Sequence, residues 1–327
     1  MTDNRVLRGP WGKPYVTRDG QPLQWEDGKR DPINGHLYDR PSDLSGNLDT
    51  KENLSPYQQC QAVTGMMLDK SLAVQYKALV AMHGIFVWDK AKDDVKALLR
   101  DAKRAGGDEF KPNMGSGFGL YCEMRDQGVE NTLRRPEFEP WLDCYSEIMA
   151  PWDVLATEGF VAVDDLENPG SPTDICAAGS FDRMLRAKQD IFIGSGKDKK
   201  LWVPEGAVVI ADIKTGSQDE QYAMKVHIQV AGYAHGVYYD QETGKRTPLH
   251  PDLLLDKGVM IHVPFQRQYK TSNPKPEGTT YGLDLVKGWR LCQMSADLTR
   301  ARRMRLLVRD SLARAKRELP PDTCDPS

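Results

Sequence analysis

The apolar run from Ala207 to Ile210 constrains this chain most, because it closes on Ala211-Asp212-Ile213-Lys214. Such a run reads as a buried strand, and its end carries an acid and a base. Residues two apart on a strand share a face, so Lys214 stands on the same side as Asp212. Upstream, Gly179-Ser180-Phe181-Asp182-Arg183 brings a second acid out of another strand-like segment. If the two strands are neighbours, the carboxylates come close, and a cation is needed to offset their repulsion. Mg²⁺ suits oxygen ligands, and a lysine beside it can orient or deprotonate a water, or stabilise charge growing on a phosphate.

Composition narrows the classes. The chain has 327 residues, 39% hydrophobic and 28% charged, which fits a soluble globular protein with a real core. No apolar stretch is long enough to span a bilayer and the N-terminus lacks a signal-peptide pattern, so no membrane partner and a cytoplasmic location are expected. The net charge of -3 gives no global basic signature, so nucleic-acid binding must come from local patches. The six cysteines are scattered without a CxxC pair, which reads as reduced thiols rather than a metal site.

Along the chain, residues 1–53 are rich in Gly, Pro, Asp and Asn and read as a loosely packed extended arm, with a short hairpin at most. Residues 54–150 form a helical region. One helix is expected over Pro56–Met82, with Val63, Met66, Met67, Val74, Leu79 and Met82 on its apolar face. Others follow over Asp89–Arg104, from Asn113 to Gln127, and over Pro136–Met149. Residues 151–283 form the core, with strands over Asp153–Val163, Ala177–Leu185, Ala207–Ile213 and Gly258–Pro264, and a helix over Glu220–Tyr239. Residues 284–327 form a long basic helix and tail. The fold class is therefore α/β, a small mixed central sheet flanked by helices, with a helical N-terminal cap and a long C-terminal helix.

An Asp-x-Lys triplet alone is common on solvated strand ends, so weight rests on the ensemble. Gln229 and Tyr233 are four apart on one helix face, with Lys225 a turn earlier. They could equally belong to an amphipathic helix whose tyrosine packs on the sheet. Glu158 is a lone acid in a strand, functional or simply an exposed edge residue. His227, His235 and His262 show no metal spacing and read as structural or surface residues.

The ordered set Glu158, Gly179-x-x-Asp182, Asp212-Ile213-Lys214 and Gln229-x-x-x-Tyr233 resembles the RecB-like branch of the PD-(D/E)xK nucleases, and bacteriophage exonucleases in particular. The resemblance runs from about Leu54 through Pro264 and includes Gly115-Ser116-Gly117-Phe118-Gly119-Leu120-Tyr121-Cys122-Glu123. It implies a restriction-endonuclease-like core and a Mg²⁺- or Mn²⁺-dependent DNA nuclease, an exonuclease of phage recombination or replication working in the host cytoplasm. It implies Asp182 and Asp212 as metal ligands, Lys214 as the catalytic lysine, Glu158 near the metal, and Gln229 and Tyr233 on the DNA side. A single-strand annealing protein is the partner such phage enzymes commonly have. Where the family carries a metal-binding histidine, four residues after the first glycine, this chain has Gly119; Glu123, one turn on, matches a family acid.

Two other readings stay open. One is a catalytically impaired DNA-binding relative, with Gly119 as the mark of the loss. The other is an unrelated enzyme using Lys214 covalently through a Schiff base. From Asp284 to Glu318 there are ten basic and four acidic residues, so this segment can supply the basic surface that the whole chain lacks. Arg302, Arg303 and Arg305 are its candidate phosphate contacts; the alternative is a solvated helix that packs Trp289 on the body.

Overall fold

The computed structural model describes residues 6–48, 54–129, 135–216, 223–265 and 275–318, without side chains at 54, 111–112, 306–307 and 309–318. It opens with two short antiparallel strands, β1 (Tyr15–Val16) and β2 (His36–Leu37), and a one-turn helix α1 (Pro41–Ser45). Four helices follow: α2 (Leu54–Leu68), α3 (Lys70–His83), α4 (Val87–Lys90) and α5 (Lys92–Ala105). Then come α6 (Phe110–Asp126) and α7 (Glu139–Met149). The remaining elements are β3 (Trp152–Val163), β4 (Ala177–Ala187), β5 (Ile191–Ile193), β6 (Lys200–Val203), β7 (Val208–Lys214), α8 (Ala223–Ala234), β8 (Val237–Tyr239), β9 (Arg246–Thr247), β10 (Lys257–His262), β11 (Thr279–Asp284) and α9 (Leu285–Glu318).

The central sheet is mixed and seven-stranded, in the order β11-β10-β7-β4-β3-β8-β9, with only β10 and β7 parallel. This is the α/β class expected from the sequence. Strand alternation divides the core into two layers. Val208, Ile210 and Met260 join Val226, Val230, Leu285 and Cys292 under α8 and α9. Val209, Ala211, Val259 and Ile261 face the other way, onto Phe118, Trp141, Leu142 and Tyr145 of α6 and α7. The apolar run of β7 is thus covered on both faces, as its composition requires.

Four elements differ from the sequence reading. The first helix breaks at Asp69, whose Oδ1 accepts from the amide of Ser71 at 2.9 Å and so caps a new helix, α3. The apolar face expected there is largely solvent-exposed: Val63 63%, Met67 76%, Val74 64% and Met82 67%. Helix α2 packs on α5 through small residues instead. A Cβ on Gly65 would lie 1.7 Å from the Ala102 carbonyl oxygen, and one on Gly106 would lie 2.0 Å from that of Gln61. Backbones this close leave no room for the large side chains, which point outward.

The N-terminal arm is packed rather than loose. Tyr15, Val16, Thr17, Tyr38 and Leu44 are buried, and Asp39 bridges to Ala177, the first residue of β4. Helix α8 ends at Ala234, and Gly236 separates it from Val237-Tyr238-Tyr239, whose β-branched and aromatic residues form β8 on the edge of β3. The Glu220–Tyr222 part of the expected helix lies outside the described residues. Strand β11, not foreseen, pairs along the whole of β10. No helix among the described residues is long and apolar enough to cross a membrane.

Candidate active site

Strands β3, β4 and β7 lie side by side, and each places one acid at the same level. In the β3–β4 ladder Thr157 pairs with Arg183 and Gly159 with Phe181, which sets Glu158 opposite Asp182. In the β4–β7 ladder the last pair is Arg183 with Ala211, one residue before Asp182 and Asp212 would meet. There the strands part, and the Ile213 amide donates to the Asp182 carboxylate Oδ2 at 2.8 Å rather than to a backbone oxygen. The sheet opens where its acids stand.

The opening is a cleft of about 580 Å³ whose walls include Glu123, Glu158, Asp182, Asp212, Lys214 and Gln229. Gly115, Ser116 and Gly119 of α6 face them across it. Of the residues singled out from the sequence, six therefore converge. Tyr233 does not line the cleft but stands behind Gly179: a Cβ there would lie 3.5 Å from the tyrosine oxygen. Tyr233 is hydrogen-bonded to Gln229, and burial together with Asp182 and Asp212 pushes its hydroxyl well above the ordinary range. Lys225, half-buried on α8, is near enough to lower the pKa of Asp212.

The electrostatics follow from burial. Asp212 is 2% exposed, and its pKa is raised, first by loss of water and then by Asp182, with Lys214 opposing. Lys214 Nζ donates to Asp212 Oδ1 at 3.0 Å and lies 2.7 Å from Oδ2. That second oxygen is buried and receives no well-directed hydrogen bond. Burial acts to discharge Lys214, but Asp212 and Asp182 outweigh it, and the pKa of the ammonium is raised. Glu158 opens on the cleft mouth; loss of water around its carboxyl, then Asp182 and Glu123, push it up to about 7. Its backbone is left-handed, at φ 51°, an uncommon conformation for a non-glycine residue within a strand.

Glu123 Oε1 accepts from Gln127 Nε2 at 3.0 Å and from Thr157 Oγ1 at 3.4 Å, which ties α6 to β3. The donor set is all oxygen, which suits Mg²⁺ or Mn²⁺, and the underused Asp212 oxygen is where a cation would offset the crowding of acids. Among the described residues no three His, Cys, Asp or Glu side chains already stand as a closed ligand group.

Two supports of the site were not evident from the sequence. Arg183 is 2% exposed and reaches from β4 to α6 behind the cleft acids. Its Nε donates to Asp126 Oδ2 at 2.6 Å, and its NH1 donates to the backbone oxygen of Asp182 at 2.7 Å. His262, opposite Lys214 in the parallel β7–β10 register, is buried, with Nε2 2.8 Å from the Gly216 carbonyl oxygen. It holds the segment following Lys214, in line with a structural reading of this histidine. The only sequence signal for Arg183 was a charge directly after the acid of an apolar strand.

The arginines of α9 stand apart from the cleft. Arg302 donates to Asn47 Oδ1 at 2.8 Å, and Arg303 pairs with Asp39 at 2.9 Å. Arg305 is exposed. The side chains of Arg309, Arg314, Lys316 and Arg317, which contribute to the expected basic surface, lie outside the described residues.

Comparison with protein-family models finds no matching family, and comparison with curated proteins finds no match.

Proposed function

We propose that this protein is a metal-dependent deoxyribonuclease with a PD-(D/E)xK core of the RecB-like type, acting as an exonuclease in phage recombination or replication. The observation that carries the reading is the alignment of Glu158, Asp182 and Asp212 on three adjacent strands, with Lys214 on Asp212, all in one cleft. A single-strand annealing protein as partner and action in the host cytoplasm belong to the same reading.

Asp182, Asp212 and Glu158 would hold the divalent ion, with Glu123 at the outer edge of the set. When bound, the metal supplies Lewis-acid stabilisation of the phosphate and a more acidic water. The chain's own residues do the rest. Lys214 is held protonated by Asp212, so it acts as a cation that orients the attacking water and offsets charge growing on the phosphate. A Schiff-base nucleophile must be neutral, so the same ion pair argues against covalent use of Lys214. Glu158, whose carboxyl is pushed up to about 7 while no ion is bound, would give up its proton as the ion arrives, so metal loading is favoured as pH rises. Buried Asp126 and Arg183 fix the backbone from which Asp182 projects.

The test is degradation of linear DNA with Mg²⁺ or Mn²⁺ and its loss with EDTA. Asp182→Ala, Asp212→Ala and Lys214→Ala should each slow the reaction by about 10²–10³-fold or more, because the groups act as a unit. Full activity in Lys214→Ala, or activity that survives EDTA, removes the reading. Metal-independent DNA binding without cleavage would instead favour a DNA-binding relative that has lost catalysis.

A further inference from the structure

The N-terminal arm carries one side chain that its backbone does not suit. The segment around it folds back on itself: the Gly9 amide donates to the Lys13 carbonyl at 2.8 Å, and the Tyr15 amide to that of Leu7 at 3.3 Å. The apex is Pro10-Trp11-Gly12. Trp11 has φ 58°, a left-handed conformation that tight turns normally give to glycine or asparagine and that is unfavourable for a bulky residue. Its side chain is 84% exposed, so packing on the body does not offset the strain. A single exposed apolar residue is ordinary on a protein surface; one held outward by a strained turn is not.

The surroundings of the turn are cationic. Arg8 Nη1 donates to the Gly12 carbonyl at 3.0 Å, and a Cβ on Gly12 would lie 3.9 Å from Arg40 Nη1, so two guanidinium groups flank the turn. Lys13, at the end of the turn, pairs with one oxygen of Asp39 at 2.6 Å, and Arg303 of α9 pairs with the other at 2.9 Å. Arg302, bound to Asn47, precedes it on the helix. Arg40 makes two hydrogen bonds to Asp43. These five cations thus meet two acids, both engaged, and Asp39 is 7% exposed beneath its partners. The surface adjoins the site. Pro41, next to Arg40, packs on Gly179, where a Cβ would lie 3.2 Å from the proline Cδ. From Gly179 it is about 10 Å along β4 to Asp182. Arg40 is also within electrostatic reach of the Tyr233 hydroxyl, as are Asp182 and Asp212.

An exposed aromatic ring among cations suits a single nucleic-acid strand. Unpaired bases stack on such a ring whatever their sequence, and the phosphates between them meet the positive groups. Bases inside a duplex offer no free face to it. We propose that the Pro10-Trp11-Gly12 turn is a contact for single-stranded DNA, with Trp11 stacking on an unpaired base while Arg8, Lys13 and Arg40 hold the neighbouring phosphates. The inference rests on the nuclease reading for its substrate. It adds a contact outside the cleft, supplied by the N-terminal arm and continuous with α9.

The experiment uses the full chain and two fluorescent probes of equal length, single-stranded oligothymidylate and the same sugar–phosphate strand without bases. Binding is measured by anisotropy in EDTA across a salt series, and cleavage of oligothymidylate separately with Mn²⁺. The wild type should hold oligothymidylate about tenfold more tightly than the abasic strand, within the range set by one stacked base. Trp11→Gly should erase that preference while Tm holds or rises, because glycine suits the left-handed turn. Trp11→Phe should keep most of it. Arg8→Ala should keep the preference and flatten the salt slope by about 0.7, the value of one single-strand phosphate contact. Equal binding of the two probes by the wild type overturns the proposal. So does a full preference in Trp11→Gly, which would leave the turn as a contact for a protein surface. Cleavage without a preference that depends on Trp11 sinks the contact and leaves the nuclease reading standing. The preference without cleavage does the opposite.

Discussion

Asp126 and Arg183 form a buried ion pair of 2.6 Å between α6 and β4, side chains 5% and 2% exposed, immediately behind the acid Asp182. Tyr145 of α7 donates to the same Asp126 oxygen at 2.8 Å, so three elements meet at one carboxylate. Removing one member strands the other charge in the core. Asp126→Ala should therefore lower stability by about 3–5 kcal/mol in urea unfolding. DNA cleavage should fall as well, because the arginine that holds the Asp182 backbone loses its anchor. Wild-type stability in Asp126→Ala would show the pair to be dispensable.

Glu158 makes the metal-free protein pH-sensitive. Its folded value of about 7 lies above the ordinary 4.5. A raised carboxyl contributes stability that is full below the ordinary value and is lost as pH climbs through the folded one. Between about pH 4.5 and 7 this residue should erode the stability of the metal-free chain, by a small amount because the exposed side chain is screened by solvent. Glu158→Gln should accordingly raise Tm relative to wild type at pH 8 and leave the difference near zero at pH 4. Added Mn²⁺ should reverse the order at pH 8, because it binds the ionised carboxylate. Calorimetric scans of both proteins at the two pH values check the sign.

Gly119 faces the cleft, and a Cβ there meets nothing within 4 Å. Gly119→His should fold without loss of stability and place an imidazole toward the acids. An added ligand should lower the Mn²⁺ concentration for half-maximal cleavage by about tenfold or more, the scale on which single groups tune metal sites. Titration of activity against Mn²⁺ decides it; an unchanged midpoint would mean that the histidine does not reach the ion.

The three candidate phosphate contacts on α9 should separate. Arg303 is engaged with Asp39, and Arg302 with Asn47, whereas Arg305 has no ion-pair partner among the described residues. Arg305→Ala should then flatten the salt dependence of duplex binding by about 0.9 in slope, the value of one phosphate contact, and leave Tm unchanged. Arg303→Ala should lower Tm and alter the slope less. Equal slopes in wild type and Arg305→Ala would make α9 scaffold.

The site was legible because strand ends announce themselves locally: an apolar run, an acid, and a base two residues on, as at Val208 to Lys214. Period-two geometry then fixed that Asp212 and Lys214 share a face. The partition of α2 and α3 was not legible in this way. Val63, Met67 and Met82 have helical spacing, but the helix turns its glycine to α5, and spacing carries no information about which face a neighbour takes. The same limit hid Arg183, whose partner Asp126 lies 57 residues away, a pairing that only the folded sheet creates. Strand β11 escaped because Thr279-Thr280-Tyr281-Gly282-Leu283-Asp284 is a half-covered edge with little apolar signal.

The beginning and end of the described chain are sewn together. Ser295 of α9 donates to the Leu44 carbonyl at 2.6 Å across 251 positions, and Arg303 reaches back to Asp39. During synthesis, α1 cannot complete its seat until α8 and then α9, which begin at Ala223 and Leu285, have been made. Folding of the body is thus a late event for a growing chain, governed by contacts remote in sequence and therefore slow to close. Until the strands that carry Ala162, Ala178 and Tyr239 have been made, the arm's Tyr38 has no core to enter.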